Sequence, residues 1–123
     1  MQPQPALPLQ IRSRSIDPGL YSLELDGEID IATSIKLREE LYQAIDRGSY
    51  NLLIKLDAVR YIDTSGLGVL IGARKRVREH NGHLWIVCQN PRLLRIFNIT
   101  SLSAVFDICT TEEEVLQRAA NVA

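Results

Sequence analysis

Apolar and polar residues alternate in two short runs at the start of this chain, then settle into helical spacing, then switch between the two habits to the end. In Leu9 to Ile16, the residues Leu9, Ile11 and Ser13 share one face. Tyr21-Ser22-Leu23-Glu24-Leu25 alternates again, as a half-buried strand does. Between them Asp17-Pro18-Gly19 is a turn, because proline fixes one φ angle and glycine frees the next. The two runs predict a β-hairpin, and Asp26-Gly27-Glu28 predicts a second turn that closes it.

From Thr33 to Arg47 the period becomes helical, with Ile35, Leu37, Leu41, Ala44 and Ile45 inward. Asp30 or Thr33 is placed to cap this helix and Gly48 to end it. Leu52 to Leu56 is a continuous apolar run, the signature of a strand covered on both faces. A second helix is predicted over Gly66 to Glu79, with Leu67, Leu70, Ile71 and Val77 inward. Asn81-Gly82 turns the chain into the strand Leu84 to Cys88, and Asn90-Pro91 opens a short helix containing Leu93, Leu94, Ile96 and Phe97. Val105 to Cys109 is the last predicted strand. Thr110 or Thr111, followed by three glutamates, then starts a closing helix to about Ala120. The order β β α β α β α β α predicts one α/β domain. Its mixed, mostly parallel sheet opens with the hairpin and carries about four helices. The domain is expected over 9–123, after a proline-rich, flexible arm over 1–8.

Composition narrows the function. The chain has 123 residues, 46% of them hydrophobic and 24% charged, with a net charge of −1. That is enough for one real core, and it gives no electrostatic reason to expect nucleic acid or an anionic membrane as partner. No apolar stretch reaches the ~20 residues needed to span a bilayer, and the start lacks the form of a signal peptide. A cytoplasmic protein is expected. Cys88 and Cys109 read as buried reduced thiols, and no metal or cofactor site is expected. Arg74-Lys75-Arg76 with Arg78 reads as a solvated basic helix end, with an acidic partner patch as the alternative. Trp85 reads as core.

The richest segment is Tyr61-Ile62-Asp63-Thr64-Ser65-Gly66-Leu67-Gly68-Val69-Leu70, at the predicted strand-to-helix turn. As plain structure, Asp63 and a hydroxyl cap the helix and the glycines permit close packing. Two glycines in a first helical turn nonetheless cost about 1 kcal/mol each relative to alanine. No lysine follows the glycines as a P-loop requires. Ser65 lacks the leading glycine of a hydrolase elbow. An aspartic protease needs Asp-Thr-Gly in two copies, and here Ser65 intervenes in a single copy. His80 and His83 fall about four helical turns from Ser65, too far to act as its base. The segment suits a substrate better than an enzyme. A phosphate on Thr64 or Ser65 would add about −1.5 to −2 charges. The helix amides and dipole are expected to carry that charge while a docked partner is repelled.

This segment resembles the signature of STAS domains, specifically bacterial anti-sigma factor antagonists. Leu25-Asp26-Gly27-Glu28-Ile29-Asp30 with Ala32-Thr33 is similar to the Gly-Glu-Leu-Asp turn before that family's first helix. The order of elements agrees over nearly the whole chain. The resemblance implies partner switching in the regulation of transcription, as in stress responses. The unphosphorylated antagonist binds an anti-sigma factor that is also a serine/threonine kinase, of the histidine-kinase-like ATPase type. It is released on phosphorylation and reset by a serine/threonine phosphatase. Carried onto this chain, the acceptor is Thr64, with Ser65 second. Asp63, Ser65, Gly66, Leu67 and Gly68 shape the docking surface, and Gly27, Glu28 and Asp30 lie beside it. The family's acceptor is commonly serine, so the Thr64 methyl is a departure. Some relatives are not phosphorylated and serve as scaffolds or small-ligand-binding modules of signalling complexes or transporters, which is the alternative here. A weak homodimer is kept among the expected partners, and the sequence leaves the oligomeric state open.

Overall fold

A computed structural model describes residues 9–16 and 19–121. The predicted arm over 1–8, and Asp17 and Pro18 of the predicted turn, lie outside the described residues. The elements are β1 (Gln10–Ile16), β2 (Leu20–Ile29), α1 (Ile31–Asp46), β3 (Asn51–Ile62), α2 (Thr64–Arg78) and β4 (His83–Val87). After them come α3 (Pro91–Ile99), a single 3-10 turn (Leu102–Ala104), β5 (Asp107–Cys109) and α4 (Glu112–Ala120). The five strands lie side by side in chain order. β1 pairs antiparallel to β2, and every later pairing is parallel. This is the mixed sheet with an opening hairpin that the alternation predicts.

Right-handed crossovers that always advance to the next strand put successive helices on the same face. The larger core lies there. Leu37 and Leu41 of α1, Leu67 and Leu70 of α2, and Leu93 and Phe97 of α3 pack on Leu23, Leu25, Leu52, Ile54 and Ile86. Residues one step out of phase face the other way. There Leu53, Trp85, Val87 and Cys109 meet Val115 of α4. Toward the β1 edge the second face is polar: Glu24 pairs with Arg12 and Lys55, and Glu112, at the start of α4, with Arg14 and Lys55. Cys88 and Cys109 are free and buried, and burial pushes both thiols up from their ordinary pKa. No helix among the described residues is long and apolar enough to cross a membrane.

Three expectations are corrected. Asp26-Gly27-Glu28 is no turn, because β2 runs through it to Ile29. Gly27 takes φ +127 inside the strand, beside a register shift against β3. Its glycine serves a bulge rather than a chain reversal. β3 does not stop at Leu56. Its pairing with β2 jumps from Glu24↔Lys55 to Asp26↔Ala58, and from Gly27↔Val59 to Glu28↔Tyr61. Each jump inserts an extra β3 residue, so Leu56, Val59 and Ile62 all face the core at a spacing of three. Ile35 and Ile71 are not inward either. They are 50% and 43% exposed, because Ser34 and Ala73 take the buried positions on those helices.

Candidate functional site

The carboxyl ends of β2 and β3 stand together, held by Ile29↔Ile62 and by the Asp63 amide donating to Ile29 O at 3.0 Å. Each strand ends in an Ile-Asp pair, and each aspartate caps the helix that follows. Polar side chains from two elements thereby meet at one end of the sheet, where open α/β sheets present their functional loops.

At the second cap, Asp63 Oδ1 accepts the amides of Ser65 (2.9 Å) and Gly66 (3.2 Å) and also the Ser65 hydroxyl. Asp63 O accepts the Leu67 amide at 3.0 Å. Ser65 is half-buried and its proton is committed to the carboxylate. Thr64, the first helical residue, is exposed. Among the described residues its hydroxyl makes no side-chain hydrogen bond. Of the two adjacent hydroxyls, one holds the cap and the other faces outward.

At the first cap both partners are committed. Asp30 Oδ1 accepts the Thr33 amide at 2.9 Å, and Thr33 Oγ1 accepts the Asp30 amide at 2.9 Å. The Thr33 hydroxyl donates to Glu28 O at 2.8 Å. Sequence reading left Asp30 and Thr33 as alternative caps, and the two form one capping box. The Thr33 amide and hydroxyl hold the Asp30 carboxyl below the usual carboxylate pKa. Glu28 and Asp30 are half-buried and Gly27 is buried.

The two motif glycines differ. A Cβ on Gly66 would lie 2.5 Å from Ile29 Cγ2 and 2.8 Å from Ile62 Cγ1, so only glycine lets α2 sit on the two strand ends. A Cβ on Gly68 would meet nothing within 4 Å. Gly66 and Leu67 are buried and set the shape of the site from beneath, whereas Gly68 is exposed one turn from Thr64. The motif therefore brings Asp63, Thr64, Ser65 and Gly68 to the surface region and leaves Gly66 and Leu67 under it. Sequence reading did not single out Ile62, or the carbonyl of Ile29, as parts of the site. Ile-Asp stands at 29–30 and 62–63 but also at 16–17 and 45–46, so the dipeptide alone does not mark the two strand ends.

The site holds a carboxylate, two hydroxyls and a free helix flank. Among the described residues no group of three His, Cys, Asp or Glu side chains could hold a metal. His80 stacks on Tyr50 at 4.1 Å and His83 on Trp85 at 5.5 Å, so both imidazoles are engaged away from the turn.

The family model for the STAS domain matches residues 13–115. An anti-sigma-B factor antagonist of Bacillus subtilis is 37% identical over 95 residues, covering 77% of this chain and 86% of its own. Among solved structures, an anti-sigma factor antagonist from Mycobacterium paratuberculosis superposes with a TM-score of 0.82 at 23% identity, over 89% of this chain and 92% of its own. The Bacillus cell fate determinant SpoIIAA in its phosphorylated form gives 0.70 at 20% identity, over 89% and 99%. At those identities the two structures speak for the fold.

Proposed function

The chain belongs to the STAS domain family, and we propose that it is an anti-sigma factor antagonist switched by phosphorylation of Thr64. In its unphosphorylated state it binds an ATP-binding anti-sigma factor that is also a serine/threonine kinase, and so regulates transcription. Phosphorylation releases it, and a serine/threonine phosphatase restores it. The protein acts by binding, and its turn is the kinase's substrate.

The observation that carries this reading is the division of labour between neighbouring hydroxyls. Ser65 donates to Asp63, while Thr64 stands exposed on the first turn of α2. A kinase can take the Thr64 proton without breaking the cap. The expectation that helix amides would receive the phosphate needs correction, because Asp63 already accepts the amides of Ser65 and Gly66. The added charge, about −1.5 to −2, therefore faces outward beside a carboxylate. There it opposes a docked partner and leaves the fold intact. A loss of roughly 3–4 kcal/mol of binding would lower affinity several hundredfold.

Incubation with ATP and a purified anti-sigma factor kinase, followed by mass spectrometry, tests the reading. Phosphate is expected on Thr64, and its absence from both Thr64 and Ser65 would remove the switch. A second reading, a scaffold or small-ligand-binding module, draws on an open cleft of about 460 Å³ lined by residues including Cys88, Leu94, Phe106, Asp107 and Arg118. It requires partner complexes that are indifferent to ATP.

A further inference from the structure

Five residues of α2 lie on one solvent-facing line: Thr64, Gly68, Ile71, Lys75 and Arg78, all exposed. At 100° per residue they fall within roughly 80° of arc and extend over about 21 Å. Two features of this line lack a reason inside the chain, and a third, favourable to the helix dipole, is left without an acidic partner among the described residues.

The first is Gly68. A glycine within a helix weakens it relative to alanine, so a reason for its presence is needed. Gly66 has one in Ile29, and Gly72 has one in Tyr42, whose Oη would lie 2.6 Å from an added Cβ. Around Gly68 there is open space. The second is Ile71, an apolar side chain 43% exposed at the next position along the line. The third is the pair of cations at the far end. Arg76 is occupied over the Tyr42 ring at 4.0 Å. Lys75 and Arg78 form no ion pair among the described residues, and α2 itself contains no acid.

From this line we infer that α2 is the docking surface for an acidic, amphipathic segment of the partner that phosphorylates Thr64, an inference that rests on the proposed function. The segment lays its backbone closest at Gly68, where the missing Cβ admits it. It covers Ile71 with an apolar side chain and sets carboxylates against Lys75 and Arg78. This order of chemistry also explains the sense of the switch. A phosphate on Thr64 places negative charge at one end of the line, against a segment whose own charge is negative.

The test measures binding of a purified ATP-binding anti-sigma factor that phosphorylates the wild-type chain, with ADP in place of ATP so that the complex persists. Gly68→Ala should melt no lower than wild type, yet bind about tenfold more weakly. Lys75→Glu combined with Arg78→Glu should lose at least about tenfold at low salt and flatten the salt dependence of binding. Arg92→Glu with Arg95→Glu, a matched charge change on exposed positions of α3, should stay within about twofold of wild type. If both α2 variants bind within about twofold of wild type while Thr64→Glu does not bind, the docking surface lies elsewhere and the proposed function stands. An equal loss in the α3 control would assign the effect to net charge and overturn the inference. If no such kinase binds or phosphorylates the wild-type chain, the proposed function falls and this inference with it.

Discussion

At the start of α1, Asp30 and Thr33 exchange hydrogen bonds, and the threonine hydroxyl is turned inward onto Glu28 O. At the start of α2, Asp63 is served by Ser65, and the threonine beside it is left facing solvent. Both helices begin with Ile-Asp, both aspartates cap, and both caps carry a threonine within three residues. The threonine's distance from the cap decides its fate. Three residues on, it reaches back to the cap's own amide, which is the geometry of a capping box. Directly after the aspartate it cannot reach back, and its hydroxyl is free for another protein. A hydroxyl locked into a cap and one left at the surface can thus differ only in where the threonine falls.

This comparison is broken or sharpened most strongly by phosphorylation itself. Thr64→Ala should abolish phosphate incorporation by the anti-sigma factor kinase, while Thr33→Ala should leave it unchanged, as read by intact-mass spectrometry. Transfer of phosphate to Ser65 in Thr64→Ala would show that Asp63 does not withhold that hydroxyl. Next in size is Gly66→Ala. Its methyl would push against Ile29 and Ile62, and a loss of about 1–3 kcal/mol in denaturant unfolding is expected. Third, Thr33→Ala should cost about 1 kcal/mol, because it strips both the Asp30 amide and Glu28 O of a partner. Thr64→Ala should change stability by less than about 0.5 kcal/mol, as an exposed substitution does. Equal losses would mean that Thr64 is structural after all.

The smallest effect is one of pH. The Asp30 carboxyl titrates below its ordinary value in the folded chain. The stability it contributes is therefore present above its unfolded pKa and is lost as pH falls through the folded one. The difference in melting temperature between wild type and Asp30→Asn should narrow below about pH 4. A difference constant down to pH 3 would mean that the charge on Asp30 contributes nothing.

The order of elements and the motif were legible because both rest on short-range rules: period, capping residues and turn chemistry. Asn90-Pro91, Thr111 and Gly48 end or begin helices where those rules place them. The second half of β3 was not legible. Two extra residues shift its core positions to a spacing of three, so Val59 and Ile62 no longer look like strand residues. Gly27 misled for a related reason, since a glycine that bends a strand has the same letter as one that reverses it. Ile35 and Ile71 were placed inward as apolar positions of a helical pattern. The structure gives their places to smaller residues, Ser34 and Ala73, where helices and sheet come close. Of the site, the hydroxyls could be read from sequence, but their division of labour could not. It depends on which of them reaches the Asp63 carboxylate.

Because the strands lie in chain order, no strand has to be inserted between two already paired. Each crossover extends one edge, so the sheet can grow strand by strand from the amino end, with each parallel pairing waiting for the helix between its strands. The turn at Asp63 needs β2, β3 and the first two helices, all of which are complete by Arg78. The segment from β4 onward widens the core but, among the described residues, adds no hydrogen-bonding partner to that turn. During synthesis the turn that carries Thr64 can therefore take shape while the rest of the domain is still being made.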